Sequence, residues 1–132
     1  MTSATHARTK TRIKICGLTR EADVDAAVAA GADAIGFVFY PPSPRYVTPE
    51  RAAELAQRLP PFVAAVGLFV NPEPAQVEAV LAKVPLEVLQ FHGDETESQC
   101  RRYLRPYLKA ARVRPDLDLV QYAAAYPSAR AI

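Results

Sequence analysis

The chain has 132 residues, half of them hydrophobic, and a formal net charge of +2. That length suits one domain with a real apolar core, and the near-neutral balance gives no electrostatic footprint for nucleic acid or an anionic membrane. Two cysteines without metal-ligand spacing, Cys16 and Cys100, fit a reduced, cytoplasmic compartment, and no apolar run nears the roughly 18 residues that a membrane span needs.

Residues 1–11 are polar and lack the apolar segment of a secretion signal, so they read as a loose tail ahead of a domain over 12–132. A first strand is expected over about Arg12 to Cys16, where Ile13 and Ile15 alternate with Lys14 and Cys16. A helix follows from about Glu21 to Ala30, and Gly31 is placed to end it in a left-handed cap. The second strand, Asp33 to Phe39, is a nearly continuous apolar run, which suits a strand covered on both faces. The proline-rich loop Tyr40 to Val47 comes next. Thr48-Pro49-Glu50 then opens a helix with a cap, a proline in the first turn and an acid near the positive end. Its apolar face is Ala52, Leu55, Ala56 and Leu59, and Pro60-Pro61 stops it.

The third strand is expected over Phe62 to Val70. Asn71-Pro72-Glu73 repeats the helix opening, with Val77, Val80, Leu81 and Val84 as the buried face. The fourth strand, Leu86 to His92, turns at Gly93-Asp94 into a helix carrying Cys100, Tyr103, Leu104 and Tyr107 on one side. The fifth strand is read as Leu108 to Val113, and its helix as Asp116 to Tyr126 with Leu119, Tyr122, Ala123 and Tyr126 inward. Ala129 to Ile132 begins a sixth strand.

Strands and amphipathic helices therefore alternate, which gives an α/β fold with a parallel sheet and right-handed crossovers. Two architectures share this pattern. One is a doubly wound open sheet. The other is an eight-stranded barrel, which at about 22 residues per unit needs roughly 190–200 residues, so the chain would stop inside its sixth strand. Only Gly17 follows the first strand, without the second glycine of a dinucleotide-binding turn.

The strand ends hold the candidate chemistry. Cys16 closes the first strand, Arg45 stands in the loop after the second, Gln90 and His92 share one face of the fourth, and Arg112 lies near the end of the fifth. In a barrel all of these meet at one rim. Taken singly, each has an ordinary explanation: a small core thiol, a solvated arginine, a satisfied buried histidine. Several polar groups at matching strand ends are harder to explain that way.

The motifs Lys14-Ile-Cys-Gly-Leu-Thr-Arg20, Gly31 to Val47, Val66-Gly-Leu-Phe-Val-Asn71 and Leu89-Gln-Phe-His-Gly-Asp94 resemble phosphoribosylanthranilate isomerase, an enzyme family of tryptophan biosynthesis. The resemblance implies the eight-stranded (β/α)8 barrel, here about five and a half βα units. It implies an intramolecular aldose–ketose isomerase that works on a small phosphosugar substrate without metal or cofactor. It makes Cys16 the general base, and it sets Arg45, Gln90 and His92 in the substrate pocket, Arg45 facing the anthranilate carboxylate. The family's general acid, at the end of strand six, and its phosphate-binding loops fall outside these 132 residues. The chain by itself is therefore expected to be a weak or inactive isomerase. The alternative is a non-catalytic barrel fragment that self-associates through exposed sheet edges or needs a complementing partner.

Overall fold

The computed structural model describes residues 10–132, so most of the stretch read as a tail lies outside the described residues. Among the described residues five strands alternate with five helices. The first half runs β1 (Lys14–Cys16), α1 (Glu21–Ala29), β2 (Ala34–Val38), α2 (Pro49–Ala56) and β3 (Ala64–Phe69). The second runs α3 (Pro74–Lys83), β4 (Val88–Phe91), α4 (Glu97–Arg101), β5 (Tyr107–Lys109) and α5 (Leu119–Ala124).

All pairings are parallel, and the strands lie side by side in chain order, β1-β2-β3-β4-β5. Ala131 bridges to Leu108 in parallel, so a sixth strand position opens beside β5. A doubly wound sheet reverses its order at a switch point. Here there is no reversal, and every crossover advances the same way, as in a barrel wall.

The register assigns the two faces, because side chains alternate along each strand. Ile35, Phe37, Phe39, Ala65, Phe69, Leu89, Phe91 and Tyr107 point toward the helices. They form one core with Val24, Ala52, Leu55, Val77, Val80 and Cys100. Phe39, Phe69 and Phe91 stack along this face. The opposite face carries Lys14, Cys16, Gly36, Val38, Val66, Leu68, Gln90 and Leu108, paired across neighbouring strands.

Local signals behaved as the residues predict at α1 and α2. Gly31 takes φ +91 after α1. Thr48 Oγ1 accepts the Arg51 N–H at the start of α2. Elsewhere the structure corrects the sequence reading. Helix α3 opens at Pro74, with Glu73 as its cap, rather than at Asn71. A residue before proline is driven out of the helical region, and with Pro72 and Pro74 in tandem the first residue free to start a helix is Pro74. Asn71 instead adopts φ +45.

Helix α4 ends at Arg101, so the expected four-residue apolar face is cut short. Cys100 is buried, but Leu104 is 93% exposed and Tyr107 opens β5. Pro106 cannot extend a helix, and Arg105 before it is likewise disfavoured. The helical spacing of Leu104 and Tyr107 is therefore accidental. Phe62 lies before β3 at φ +71, fully exposed, rather than opening the strand. The β5 ladder stops near Lys109, short of Val113. Asp118, not Asp116, caps α5 by accepting the Gln121 N–H, and Leu119 faces solvent.

Candidate active site

Cys16 ends β1 with its side chain on the open face of the sheet. The chain leaves through Gly17 at φ +81, whose N–H donates to Gly36 O at 2.8 Å. Gly36 is the β2 residue opposite Cys16. A Cβ there would lie 2.8 Å from Cys16 Sγ, so the glycine makes room for the thiol.

Arg45 reaches the same turn. Its loop is folded back onto β2, where Tyr46 bridges to Val38 and the Val47 N–H donates to Val38 O at 3.0 Å. The Arg45 side chain then lies across Gly17: a Cβ on Gly17 would come within 2.6 Å of Arg45 Cδ and Nη1. Arg45 Nη1 donates to Cys16 O at 3.4 Å. The turn is held from behind by Arg51 of α2, which donates to Thr19 O at 3.3 Å and to both oxygens of Glu21 at 2.6 and 2.7 Å. That guanidinium holds the Glu21 carboxyl down at about 2.

Gln90 and His92 approach from β4. Lys14 Nζ donates to Gln90 Oε1, joining β1 to β4 over the open face. The His92 backbone N–H donates to Phe69 O at 2.9 Å, and His92 lines a hollow with Lys14, Gln90, Leu108 and Ala131. The four expected residues thus form two pairs, Cys16 with Arg45 and Gln90 with His92. Lys14, two residues before Cys16 on the same face, connects them. Among the described residues no hydrogen bond joins the thiol to the imidazole. Arg112 lines a neighbouring hollow with Gly93, Asp94, Arg114 and Asp116 and is exposed, so it is not brought to Cys16.

Sequence reasoning saw that Lys14 shares a face with Cys16 but gave it no part in the site. It missed Glu95 and Lys109 altogether. Both are buried, and Lys109 Nζ lies 3.5 Å from Glu95 Oε1. The only signal was a lysine at a helix-facing position of a strand, where an apolar residue is expected. Cys100 is walled into the core, and burial pushes its thiol up to about 12. Among the described residues no group of three or more His, Cys, Asp and Glu is placed to share a metal ion, and no helix is long and apolar enough to cross a membrane.

A family model described as N-(5'phosphoribosyl)anthranilate (PRA) isomerase matches residues 13–132. The chain belongs to that isomerase family. The isomerase of Dechloromonas aromatica is 68% identical over 123 residues, covering 93% of this chain and 59% of its own length. That of Leptothrix cholodnii is 62% identical over 123 residues, covering 93% and 56%. The chain therefore spans a little under three fifths of the length of these curated relatives. The crystal structure of the Thermotoga maritima isomerase superposes with a TM-score of 0.86 at 41% identity, over 92% of this chain and 60% of that one. Another solved isomerase, 42% identical with a TM-score of 0.82, covers 87% of this chain and 60% of its own. It is in complex with reduced 1-(o-carboxyphenylamino)-1-deoxyribulose 5-phosphate. The family fold is the (β/α)8 barrel, and this chain forms five βα units of it with the first bridge of a sixth strand.

Proposed function

We propose that this rim is the amino-terminal part of the active site of a cytoplasmic phosphoribosylanthranilate isomerase in tryptophan biosynthesis. The observation that carries the reading is the Cys16 turn, where a glycine on β2 clears space for the thiol and Arg45 lies over the adjoining peptide. The reaction is an Amadori rearrangement. Protonation of the ring oxygen of N-(5-phosphoribosyl)anthranilate opens the ribosylamine to an imine. Cys16 takes the C2 proton, the C2–H electron pair forms a C1=C2 double bond, and the C=N pair of the protonated imine settles on nitrogen as a neutral enolamine forms. The enolamine then tautomerises to 1-(2-carboxyphenylamino)-1-deoxyribulose 5-phosphate.

Arg45 carries a planar fork suited to the anthranilate carboxylate. Gln90 and His92 offer polar groups to the sugar, and Lys14 keeps Gln90 turned toward β1. No cofactor takes part in this scheme. The acid that opens the ring and the phosphate cradle are supplied by residues other than these. A positioned acid is worth about 10²–10⁴-fold in rate, so these 132 residues alone turn over weakly at best.

Among the described residues nothing pairs with the outer edge of β1, and Ile13 and Ile15 are exposed beside it, which favours a second reading. These residues then act as a barrel fragment that is completed by a complementing chain or by a second copy. One experiment separates the two. The chain is assayed with N-(5-phosphoribosyl)anthranilate alone and mixed with strands six to eight of a relative, and its mass in solution is measured. Restored turnover that disappears with Cys16→Ala supports the isomerase. Turnover unaffected by that substitution rejects Cys16 as base. No turnover in the mixture, with a stable oligomer, supports the fragment.

A further inference from the structure

The pair Glu95 and Lys109 has no part in the chemistry above, yet it is the most buried charge in the described chain, at 4% and 0% side-chain exposure. Burying two charges costs several kcal/mol per ion, and such a pair is seldom a net stabiliser over apolar residues of the same size. What it does control is backbone geometry. Glu95 accepts the Asn71 N–H at 2.8 Å and the Gly93 N–H at 2.9 Å. Lys109 donates to Gly93 O at 2.7 Å and to Ala110 O at 3.2 Å. One ion pair thus ties together the ends of β3, β4 and β5.

Gly93 directly follows His92. His92 N is held by Phe69 O, Gly93 N by Glu95, Gly93 O by Lys109 and Asp94 N by Asn71 Oδ1 at 2.8 Å. Asn71 also closes the space beside Gly93, where a Cβ would lie 2.4 Å from its Oδ1. Helix α5 and Tyr126 just beyond its end cover the pair. The rings of Tyr122 and Tyr126 lie 5.8 and 5.4 Å from Lys109 Nζ, Tyr126 Oη donates to Glu95 O at 2.6 Å and Tyr122 Oη donates to Ala110 O at 3.0 Å.

We infer that Glu95 and Lys109 are positioning residues: together they lock the peptides on either side of Gly93 and so aim the His92 imidazole into the open face. This deepens the isomerase reading, on which the use made of His92 rests, but the locking itself does not depend on it.

The test compares isotopically labelled wild type with Glu95→Gln and with the paired change Glu95→Leu, Lys109→Met. The paired change removes both charges together and leaves neither one unpartnered, so the fold persists. Its Gly93 and Asn71 amides are expected to exchange about ten- to a hundredfold faster, since each loses a hydrogen bond to a charged group. Its His92 ring resonances should move. Glu95→Gln keeps the side-chain size and one acceptor oxygen but loses the charge, so exchange at the two amides rises less than in the paired change and the His92 ring signals shift less. It decides the matter if the paired variant fails to fold. Unchanged His92 signals and unchanged Gly93 and Asn71 exchange in the folded variants would overturn the inference. All of this is read without substrate, so a displaced His92 in the variants, with no turnover when the wild-type chain is mixed with strands six to eight, would reject the isomerase reading and leave the positioning role standing.

Discussion

Among the described residues three other than glycine hold a left-handed backbone, and they sit at opposite ends of the sheet. Asn71, at φ +45, follows β3 at the rim that carries the candidate site. Phe62, at φ +71, and Leu104, at φ +54, precede β3 and β5 at the other end. The conformation costs an L-residue roughly 1–2 kcal/mol. At the rim it is offset by two bonds, since the Asn71 N–H donates to Glu95 and its Oδ1 accepts from Asp94 N. Phe62 and Leu104 instead point their side chains into solvent, at 100% and 93% exposure. The rim spends strain on fixing where groups stand. The entry end only returns the chain to the sheet, which is the division of labour expected of barrel faces.

That contrast can be broken in order of effect. Changes at the rim should act on turnover. Cys16→Ala in a chain supplied with the remaining strands should lose about 10²–10⁴-fold in turnover of N-(5-phosphoribosyl)anthranilate, as expected for a missing base. Residual activity near wild type would remove the rim's claim to chemistry. Gly93→Ala drives a Cβ against Asn71 and should cost about 1–3 kcal/mol by overpacking, read as a lower urea midpoint.

The opposite end should respond in the other direction. Leu104→Gly relaxes a left-handed residue that buries nothing, and should raise stability by up to about 1 kcal/mol without changing turnover. Asn71→Gly relaxes the same backbone region but removes the acceptor for Asp94 N–H, so it should not stabilise. If both glycine variants behave alike in thermal melts, the comparison collapses.

The smallest effect concerns acid. Arg51 holds the Glu21 carboxyl at about 2, below its ordinary value of 4.5. A depressed carboxylate contributes stability above its unfolded pKa and loses it as pH falls through the folded one. The melting temperature should therefore decline between about pH 4.5 and 2, and Arg51→Gln should flatten that decline. The pair is exposed, so the change is small.

Much of this was readable in the residues. Alternation along Ile13 to Cys16 and Leu86 to His92 put Cys16, Gln90 and His92 on the open face, because a period of two fixes a side chain's face once the strand is known. Strand count followed from regular spacing, whereas strand order, which spacing leaves open between a doubly wound sheet and a barrel, followed from the family resemblance. What escaped depends on partners distant in the chain. Leu104 and Tyr107 kept helical spacing, but Pro106 overrode it. Asn71 looked like a helix cap, but its side chain is engaged by Asp94. Lys109 makes sense only when Glu95, Tyr122 and Tyr126 close around it, and no local pattern announces that.

The close approach of Gly36 to the Cys16 sulfur has a practical consequence. The β2 side of the thiol is blocked by backbone, so any group attached to the sulfur must project away from β2. Cys100, sealed in the core, will not compete for a reagent in the native protein. A spin label or fluorophore added under native conditions would therefore report on a single spot, and its mobility would register whether further strands have closed over the sheet.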